Sequence, residues 1–301
     1  PTPDNNTPAN NANLFGNGDD TNPDNETPVD PATITPPKPP PPPVITTRTS
    51  QEVRQKIEAG IRLIDNEQLV GGRDLLNQAL AGPISSQDAA AVRKAMVNVN
   101  NALLFSPVIF EGDPQVAAHI VQQGEYLSTI APKYDVPLTF IARINNIDNV
   151  HSIRAGRRLK VVRGPFHIVV DKSEFRLDVF LENLYVCSFP VGLGEHDSTP
   201  VGNFVVKRHS KLKDGVAWTN PRTGKVIPAD APDNPLGGYW IGLLGADDDS
   251  LQYTRYGLHG TIEPDSIGYE SSMGCIRLLP DDIDLVYDML AEQKSRVTIK
   301  P

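Results

Sequence analysis

One histidine and one cysteine stand close enough in the sequence to serve as a base and a nucleophile. His259 lies in Gly-Leu-His-Gly-Thr, and Cys275 follows after fifteen intervening residues in Ser-Ser-Met-Gly-Cys-Ile-Arg-Leu. A cysteine attacks carbonyl carbons as the thiolate, and because its unperturbed pKa is about 8.5 it needs a base or cationic neighbour near neutral pH. Histidine is the usual base. The pair is compatible with cysteine acyl transfer, although a histidine and a cysteine alone more often have no catalytic role.

The residues around Cys275 suit the same chemistry. Gly274 would let a substrate approach the backbone closely, and the backbone amides of Gly274 and Cys275 are candidates for stabilising an oxyanion. Arg277 lies two residues further on, and its guanidinium offers a fork of donors to a carboxylate. The pattern predicts a nucleophile with an anion-binding side chain beside it.

Other reactive side chains lack partners in the sequence. Cys187 lies in an alternating stretch, residues 184–189, which predicts a buried small hydrophobe rather than a second nucleophile. Two cysteines exclude a disulfide scaffold, so one or both thiols are expected to be free. The remaining histidines have no partner at metal-ligand spacing, and residues 247–249 lack the alternating ligands and glycine of a calcium loop. We therefore predict no metal and no cofactor.

The segment that carries His259 and Cys275 has a strand-like pattern. From residue 165 to residue 301 apolar residues alternate with polar ones over several short stretches, with turn-rich segments between them. Period-two alternation predicts half-buried strands, and many short strands favour a β sandwich or barrel. One late helix is predicted at about residues 280–292. We therefore expect a mainly β catalytic domain over residues 165–301.

Two regions of different character open the chain. Residues 1–48 are rich in Pro, Asn, Asp and Thr and contain few large apolar residues, which predicts a disordered Pro-rich linker. Residues 49–110 have apolar residues at helical spacing, which predicts three short helices. Ser85 and Asp88 resemble a capping box at the start of the third helix. The function of this helical segment cannot be inferred from its sequence.

Charge and hydropathy exclude two classes of partner. The 301 residues carry a net charge of −9, whereas nucleic-acid binding relies on clustered Lys and Arg, and no basic face is evident. No apolar run approaches the roughly 18 residues that a membrane-spanning helix needs. The sequence begins with Pro rather than Met, so we expect that any export signal or anchor lies outside it. A chain of this length allows two or three folded units.

Residues 119–162 resemble a LysM module. The matching features are an opening strand followed by Gly124 and Glu125, a Leu-Ser-x-Ile-Ala helix, an Ile-x-x-x-Asn turn and a closing Ala-Gly-x-x-Leu-x-Val strand. The resemblance implies a βααβ module over residues 116–163 that binds glycans containing N-acetylglucosamine. It places the groove near Gly124, Glu125 and Tyr126 and near residues 147–153.

One residue departs from the expected LysM pattern. Pro132 falls inside the first expected helix, where proline is costly unless it lies in the first turn. The boundary of that helix therefore stays open. A structural β–α adaptor without a ligand is the alternative interpretation of this module.

Residues 165–301 resemble the L,D-transpeptidase catalytic domain, also called the YkuD domain. Four motifs occur in the family's order: Thr-Pro-Val-Gly-Asn-Phe at 199–204, Asn-Pro-Leu-Gly at 234–237, His-Gly-Thr from His259, and Ser-x-Gly-Cys-Ile-Arg at 272–277. The resemblance implies that Cys275 is the nucleophile and His259 its base. It also implies that the backbone carbonyl of Gly260 orients the imidazole.

The resemblance further implies which residues bind substrate. Ser272, Gly274 and Arg277 are the expected substrate-binding residues, with Arg277 contacting a carboxylate of the peptide. Many family members carry a second histidine just before Gly-Cys, whereas this chain has Met273. Methionine makes no strong hydrogen bond. Any contribution of that histidine must therefore be missing or be supplied by another residue.

The resemblance to both families predicts a peptidoglycan L,D-transpeptidase that forms 3→3 cross-links between stem peptides through a cysteine thioester. Its partners would be stem tetrapeptides and glycan strands in the cell envelope, with roles in wall organisation and cell shape. An L,D-carboxypeptidase, in which water replaces the acceptor amine, is the first alternative because the same acyl-enzyme serves both fates. A non-enzymatic peptidoglycan-binding protein is the second alternative. The multidomain order expected is linker, helical segment, LysM module and catalytic domain.

Overall fold

The computed structural model describes residues 44–301. Most of the predicted linker, 1–48, therefore lies outside the described residues. Its last residues do not fit the prediction of disorder, because β1 (Ile45–Thr46) pairs in parallel with β2 (Ile84–Ser85) of the helical segment. The linker prediction is thus too long at its C-terminal end.

Three α helices form the first described region: α1 (Gln51–Asp65), α2 (Leu69–Leu80) and α3 (Ser86–Asn100), which continues into a π-helical turn at Asn101–Phe105. The Ser85 hydroxyl caps α3 by accepting a hydrogen bond from the Asp88 backbone N–H at 3.2 Å. The return bond of a capping box is absent, because the Ser85 N–H donates to Thr49 Oγ1 at 2.9 Å. Thr49 therefore replaces the Asp88 carboxylate as the second capping partner.

The second region has two strands around two helical segments: β3 (Val116–Ile120), α4 (Leu127–Ile130), a 3₁₀ turn at Ala131–Tyr134, α5 (Leu138–Ile144) and β4 (Arg158–Val162). The two strands pair antiparallel, with Val116 opposite Val162. Pro132 lies in the first turn of the 3₁₀ segment, where its missing N–H costs little. The proline therefore ends α4 after Ile130.

The third region is mainly β. Its elements are β5 (Phe166–Asp171), β6 (Arg176–Leu181), β7 (Leu184–Pro190), β8 (Leu193–Gly194), β9 (Gly202–Lys213), β10 (Trp218–Thr219), β11 (Val226–Ile227), β12 (Tyr239–Gly245), β13 (Gly257–His259), β14 (Glu270–Ser272), β15 (Ile276–Arg277), α6 (Pro280–Met289) and β16 (Arg296–Lys300). Eight strands form one mixed sheet in the order β15-β13-β12-β9-β16-β5-β6-β7. The alternating apolar residues fill its core, which confirms the prediction of a mainly β domain.

The helical segment covers one edge of this sheet. The side-chain amide of Asn100 donates to the carbonyls of Tyr185 and Val186 on β7, at 2.9 and 3.0 Å. The Tyr185 N–H donates to Asn77 Oδ1 at 3.0 Å. Because β7 is the last strand of the sheet, these two asparagines satisfy backbone groups that would otherwise form an open edge.

The βααβ region is fixed to both of its neighbours. Lys160 is buried and donates to the carbonyl of Leu103 at 2.6 Å, at the end of the helical segment, and burial lowers the pKa of Lys160 to about 8. On the other side, Arg143 on α5 pairs with Asp288 at 2.6 Å and with Asp284, both on α6. These contacts join the βααβ region to the helical segment on one side and to α6 of the mainly β region on the other.

The structure also shows the state of the two cysteines and of the residues that could bind a metal. Cys187 and Cys275 are both free thiols, and burial raises the pKa of Cys187 well above its usual range. Within residues 44–301, no three His, Cys, Asp or Glu side chains come together as a metal site. The helices of this part of the chain are too short or too polar to span a bilayer.

Candidate active site

The sheet brings His259 and Cys275 to one face. Strands β13 and β15 are parallel neighbours, with Leu258 opposite Ile276 and His259 opposite Arg277. The same register, extended back by one residue, places Cys275 beside Gly257. Because side chains alternate along strands, Cys275, Arg277 and His259 share one face of the sheet. The three residues that the sequence motifs single out therefore converge.

Cys275 is half-buried, and its surroundings keep its thiol neutral. Burial raises the pKa of the Cys275 thiol to about 11, and a hydrogen bond from the Gly257 backbone N–H opposes this rise. The N–H of Cys275 itself has no hydrogen-bond partner within residues 44–301. The N–H of Gly274, in contrast, donates to Ser272 Oγ at 3.1 Å. Of the two amides expected to stabilise an oxyanion, only that of Cys275 is free to do so in this structure.

His259 is buried and has a defined tautomer. Its Nδ1 lies 2.6 Å from the carbonyl oxygen of Gly260, and since a carbonyl only accepts, Nδ1 carries the proton and Nε2 is left with its lone pair. Burial lowers the pKa of His259 to about 4, the Gly260 carbonyl opposes this, and the charge of Arg277 lowers it further. The imidazole is therefore neutral near pH 7, as a general base requires.

Arg277 is a buried cation without a carboxylate partner among the described residues. It is 6% exposed, its Nη2 donates to Ser271 Oγ and lies 3.4 Å from the carbonyl oxygen of Ser266, and its Nε has no partner. Ser266 and Ser271 also line an open cavity of about 590 Å³. Burial lowers the pKa of Arg277, and the charges of Glu263 and Glu195 oppose this lowering without forming an ion pair with its guanidinium. A guanidinium in this state is suited to bind an anion from solution.

Comparison with known families agrees with this geometry. Residues 165–299 match the L,D-transpeptidase catalytic domain named YkuD, and residues 119–162 match the LysM domain. Residues 165–299 form a YkuD domain. The region of β3, α4, α5 and β4 is the LysM domain that precedes it.

Two curated relatives and one solved structure that resemble this chain are named as L,D-transpeptidases. YqjB of Bacillus subtilis, named as an L,D-transpeptidase, is 35% identical over 122 residues, which cover 40% of this chain and 63% of YqjB. YkuD of Bacillus subtilis, named likewise, is 27% identical over 187 residues, which cover 60% of this chain and 96% of YkuD. The structure of an L,D-transpeptidase from Mycobacterium smegmatis is 16% identical with a TM-score of 0.35, covering 48% of this chain and 64% of that one. The chain thus spans less than two thirds of YqjB and of the M. smegmatis protein.

The Thr-Pro-x-Gly motif of the YkuD domain supports the loop before Cys275. The buried hydroxyl of Thr199 accepts a hydrogen bond from the Gly194 N–H at 2.8 Å and donates to the Gly274 carbonyl at 2.9 Å. Gly194 and Gly274 pack backbone to backbone, because a Cβ on Gly194 would lie 2.6 Å from Gly274 Cα. Gly274 has φ of +122°, a conformation that strains any other residue. Thr199 therefore positions Cys275 from a distance, a role that the sequence did not reveal.

The Asn-Pro-Leu-Gly motif wraps around the residue after His259. Gly237 has φ of +56°, and a Cβ there would lie 2.6 Å from the Thr261 nitrogen. Asn234 donates to the carbonyls of Val216 and Pro228, at 2.8 and 3.0 Å, and so closes the loop that holds Gly237 in place. This packing fixes the peptide of Gly260 whose carbonyl orients His259.

Ser272 and Met273, next to the nucleophile, have different surroundings. Ser272 Oγ donates to the Cys275 carbonyl at 2.7 Å, so its hydroxyl is used inside the turn. Met273 is 39% exposed, and its side chain has no hydrogen-bond partner in the described part of the chain. Tyr256, which sequence reasoning missed, packs against Gly274, and proximity to Cys275 adds to the burial that raises the pKa of Tyr256.

The predicted glycan-binding residues of the LysM domain lie on one loop but differ in their contacts. The Glu125 carboxylate accepts from the Gln122 N–H at 2.8 Å and pairs with His119 and Lys133 at 2.9 and 2.6 Å. These bonds lower the pKa of Glu125 to about 2. Gly124 has φ of +85° with open space around it, and the Tyr126 side chain is 58% exposed. Tyr126 and Gly124 are accessible to a ligand, whereas Glu125 is engaged within the loop.

Proposed function

We propose that this chain is a peptidoglycan L,D-transpeptidase in which Cys275 is the nucleophile and His259 the general base. The observation that carries the proposal is their shared sheet face inside a YkuD domain, with Nδ1 of His259 tied to the Gly260 carbonyl. The names of relatives such as YqjB and YkuD support the same activity. This is the arrangement of a nucleophile, a base and a group that orients the base.

In the first half-reaction, Cys275 Sγ attacks the carbonyl carbon that joins the third and fourth residues of a stem tetrapeptide. Nε2 of His259 takes the thiol proton and passes it to the leaving nitrogen, so the C–N bond breaks and D-alanine departs as the amine. The product is a thioester on Cys275. The free N–H of Cys275 is the donor we assign to the developing oxyanion.

In the second half-reaction, an amine of a second stem attacks the thioester. Its nitrogen forms the new amide bond as the C–S bond breaks, and its proton passes through His259 to the sulfur. The result is a 3→3 cross-link and a regenerated thiol. If water attacks instead, the same steps release a tripeptide, which is the carboxypeptidase outcome.

The resting pair is neutral thiol and neutral imidazole. Burial holds the pKa of Cys275 at about 11 and that of His259 at about 4, so the proton stays on sulfur before substrate binds. Each unit of this gap disfavours the thiolate–imidazolium pair by about 1.4 kcal/mol. Proton transfer therefore accompanies attack on the carbonyl, and the unliganded enzyme is protected from indiscriminate thiolate reactions.

Arg277 is the residue we assign to the stem carboxylate, because it is buried, cationic and unmatched by a carboxylate among the described side chains. The LysM domain would bring the enzyme to glycan strands of the cell wall, which implies an envelope location. Its fixed contact with α6 through Arg143 means that glycan binding would also orient the YkuD domain.

The test is incubation of the chain with a tetrapeptide stem fragment and mass analysis of the products. A cross-linked dimer that lacks one D-alanine is expected for the wild type and for Cys187→Ala, and no product for Cys275→Ala. A tripeptide alone would assign a carboxypeptidase instead. Product formation by Cys275→Ala, or its loss in Cys187→Ala, would contradict the proposed nucleophile.

A further inference from the structure

Trp240 lies directly against the His259 imidazole. The two residues are cross-strand partners on β12 and β13, so their side chains are on the same face of the sheet. Their ring centroids are 6.3 Å apart and the ring planes are inclined by 21°, which is an offset stack. Trp240 is half-buried, so its indole stacks beside the histidine while part of the side chain is exposed to solvent.

Two glycines make room for this indole. A Cβ on Gly257 would lie 2.9 Å from Trp240 Cη2 and Cζ2, and a Cβ on Gly242 would lie 3.1 Å from Trp240 Nε1. The indole therefore extends along the sheet to the level of Gly257. Since Gly257 is the neighbour of Cys275 across β13 and β15, Trp240 forms a wall beside both reacting side chains.

We propose that Trp240 is a positioning residue that fixes the plane of the His259 ring and keeps water from its covered face. The Gly260 carbonyl fixes the direction of Nδ1, and the indole fixes the remaining rotation of the ring. Together they leave one orientation for Nε2, the nitrogen that must take the thiol proton. This inference rests on the proposed role of His259 as the base.

The groups that face His259 define what the indole adds. From β15, Arg277 contributes a positive charge, and Gly260 and Pro235 contribute carbonyls that favour the imidazolium. Cys275, directly before β15, contributes a neutral thiol. Burial, in which Trp240 takes part, outweighs the carbonyls and lowers the pKa of His259 to about 4. Removal of the indole would admit water, so the pKa of His259 should rise toward its ordinary value of about 6.5.

The experiment compares Trp240→Ala, Trp240→Leu and Trp240→Phe with the wild type. Two properties are measured against pH: the rate of Cys275 alkylation by iodoacetamide, and the NMR titration of the His259 ring. Its signal is assigned among the six histidines by its loss in His259→Gln. Neither measurement needs a peptidoglycan substrate.

In Trp240→Ala, the acid limb of alkylation, which is the pH below which the alkylation rate falls, should move upward, and the midpoint of the His259 titration should move upward with it. At about pH 5.5 its alkylation should be about tenfold slower than that of the wild type, and at about pH 8 within about threefold. Trp240→Phe keeps a flat aromatic ring and should retain the wild-type limb. Trp240→Leu keeps part of the apolar volume without the stack, so its acid limb should lie between those of the wild type and Trp240→Ala.

An unchanged His259 titration in Trp240→Ala would overturn the proposal, and a wild-type limb in Trp240→Leu would overturn the part assigned to stacking. If Trp240→Ala fails to fold by circular dichroism, the comparison of Leu with Phe decides. If His259→Gln alkylates like the wild type, the proposed base is wrong, whereas a shifted titration in Trp240→Ala would still support the contact.

Discussion

The polar groups of the motif residues differ in their hydrogen-bond partners between the YkuD domain and the LysM domain. In the YkuD domain two polar groups at the nucleophile, the Cys275 N–H and Arg277 Nε, have no hydrogen-bond partner within residues 44–301. In the LysM domain the Glu125 carboxylate has three partners within its own region. Buried polar groups without partners are costly, and beside the nucleophile a bound ligand can supply the missing partners. The difference separates residues reserved for a ligand from residues that hold a loop.

The largest effect should follow from Arg277→Met. Loss of a buried charge-assisted pair costs about 2–3 kcal/mol, so kcat/KM for a stem tetrapeptide should fall about 100-fold. The control substrate is the same tetrapeptide with its C-terminal carboxylate converted to an amide. On this amide, kcat/KM of Arg277→Met should lie within about threefold of that of the wild type. Equal losses on both substrates would show that Arg277 only supports the fold.

A smaller effect is expected from Thr199→Val, which keeps the shape of the side chain but removes its hydroxyl. The Gly194 N–H and the Gly274 carbonyl would then be buried without partners, which costs about 1–3 kcal/mol each. Thermal unfolding should move to lower temperature, and alkylation of Cys275 should slow because its loop is released. Thr199→Ser retains the hydroxyl, so its unfolding temperature and alkylation rate should match those of the wild type. Identical behaviour of the Val and Ser variants would show that the two hydrogen bonds of Thr199 do not position Cys275.

Much of this could be predicted because the relevant signals are local. The strand alternation predicts a mainly β domain, and the short separation of His259 and Cys275 is compatible with one shared sheet face, which the pairing of β13 with β15 provides. The roles of Thr199 and Trp240 could not be predicted, since each depends on contacts between segments far apart in the sequence. The same holds for the hydrogen bond from the Gly274 N–H to Ser272 Oγ, because the conformation of the turn brings these two groups together. The capping of α3 by Thr49 is a further case, in which a residue from outside the helix replaced the local partner.

The smallest effects test the LysM side of the comparison with a matched pair, Tyr126→Ala and Glu125→Gln, each in the Cys275→Ala background so that no acyl-enzyme contributes. Tyr126 is exposed, so its truncation should weaken pelleting with insoluble peptidoglycan and leave Tm unchanged. Glu125→Gln should do the reverse, because its carboxylate holds the loop through Gln122, His119 and Lys133.

The pH dependence of Glu125→Gln checks the physical cause. Hydrogen bonds lower the folded-state pKa of Glu125 to about 2, below an unfolded value of about 4.3. The stabilisation is therefore complete above about pH 4.3 and is lost as the pH falls toward 2. The Tm difference between wild type and Glu125→Gln should be constant from about pH 7 to 5 and shrink below that. If Glu125→Gln instead abolished pelleting without changing Tm, Glu125 would bind the glycan directly, and the contrast between the two domains would fail.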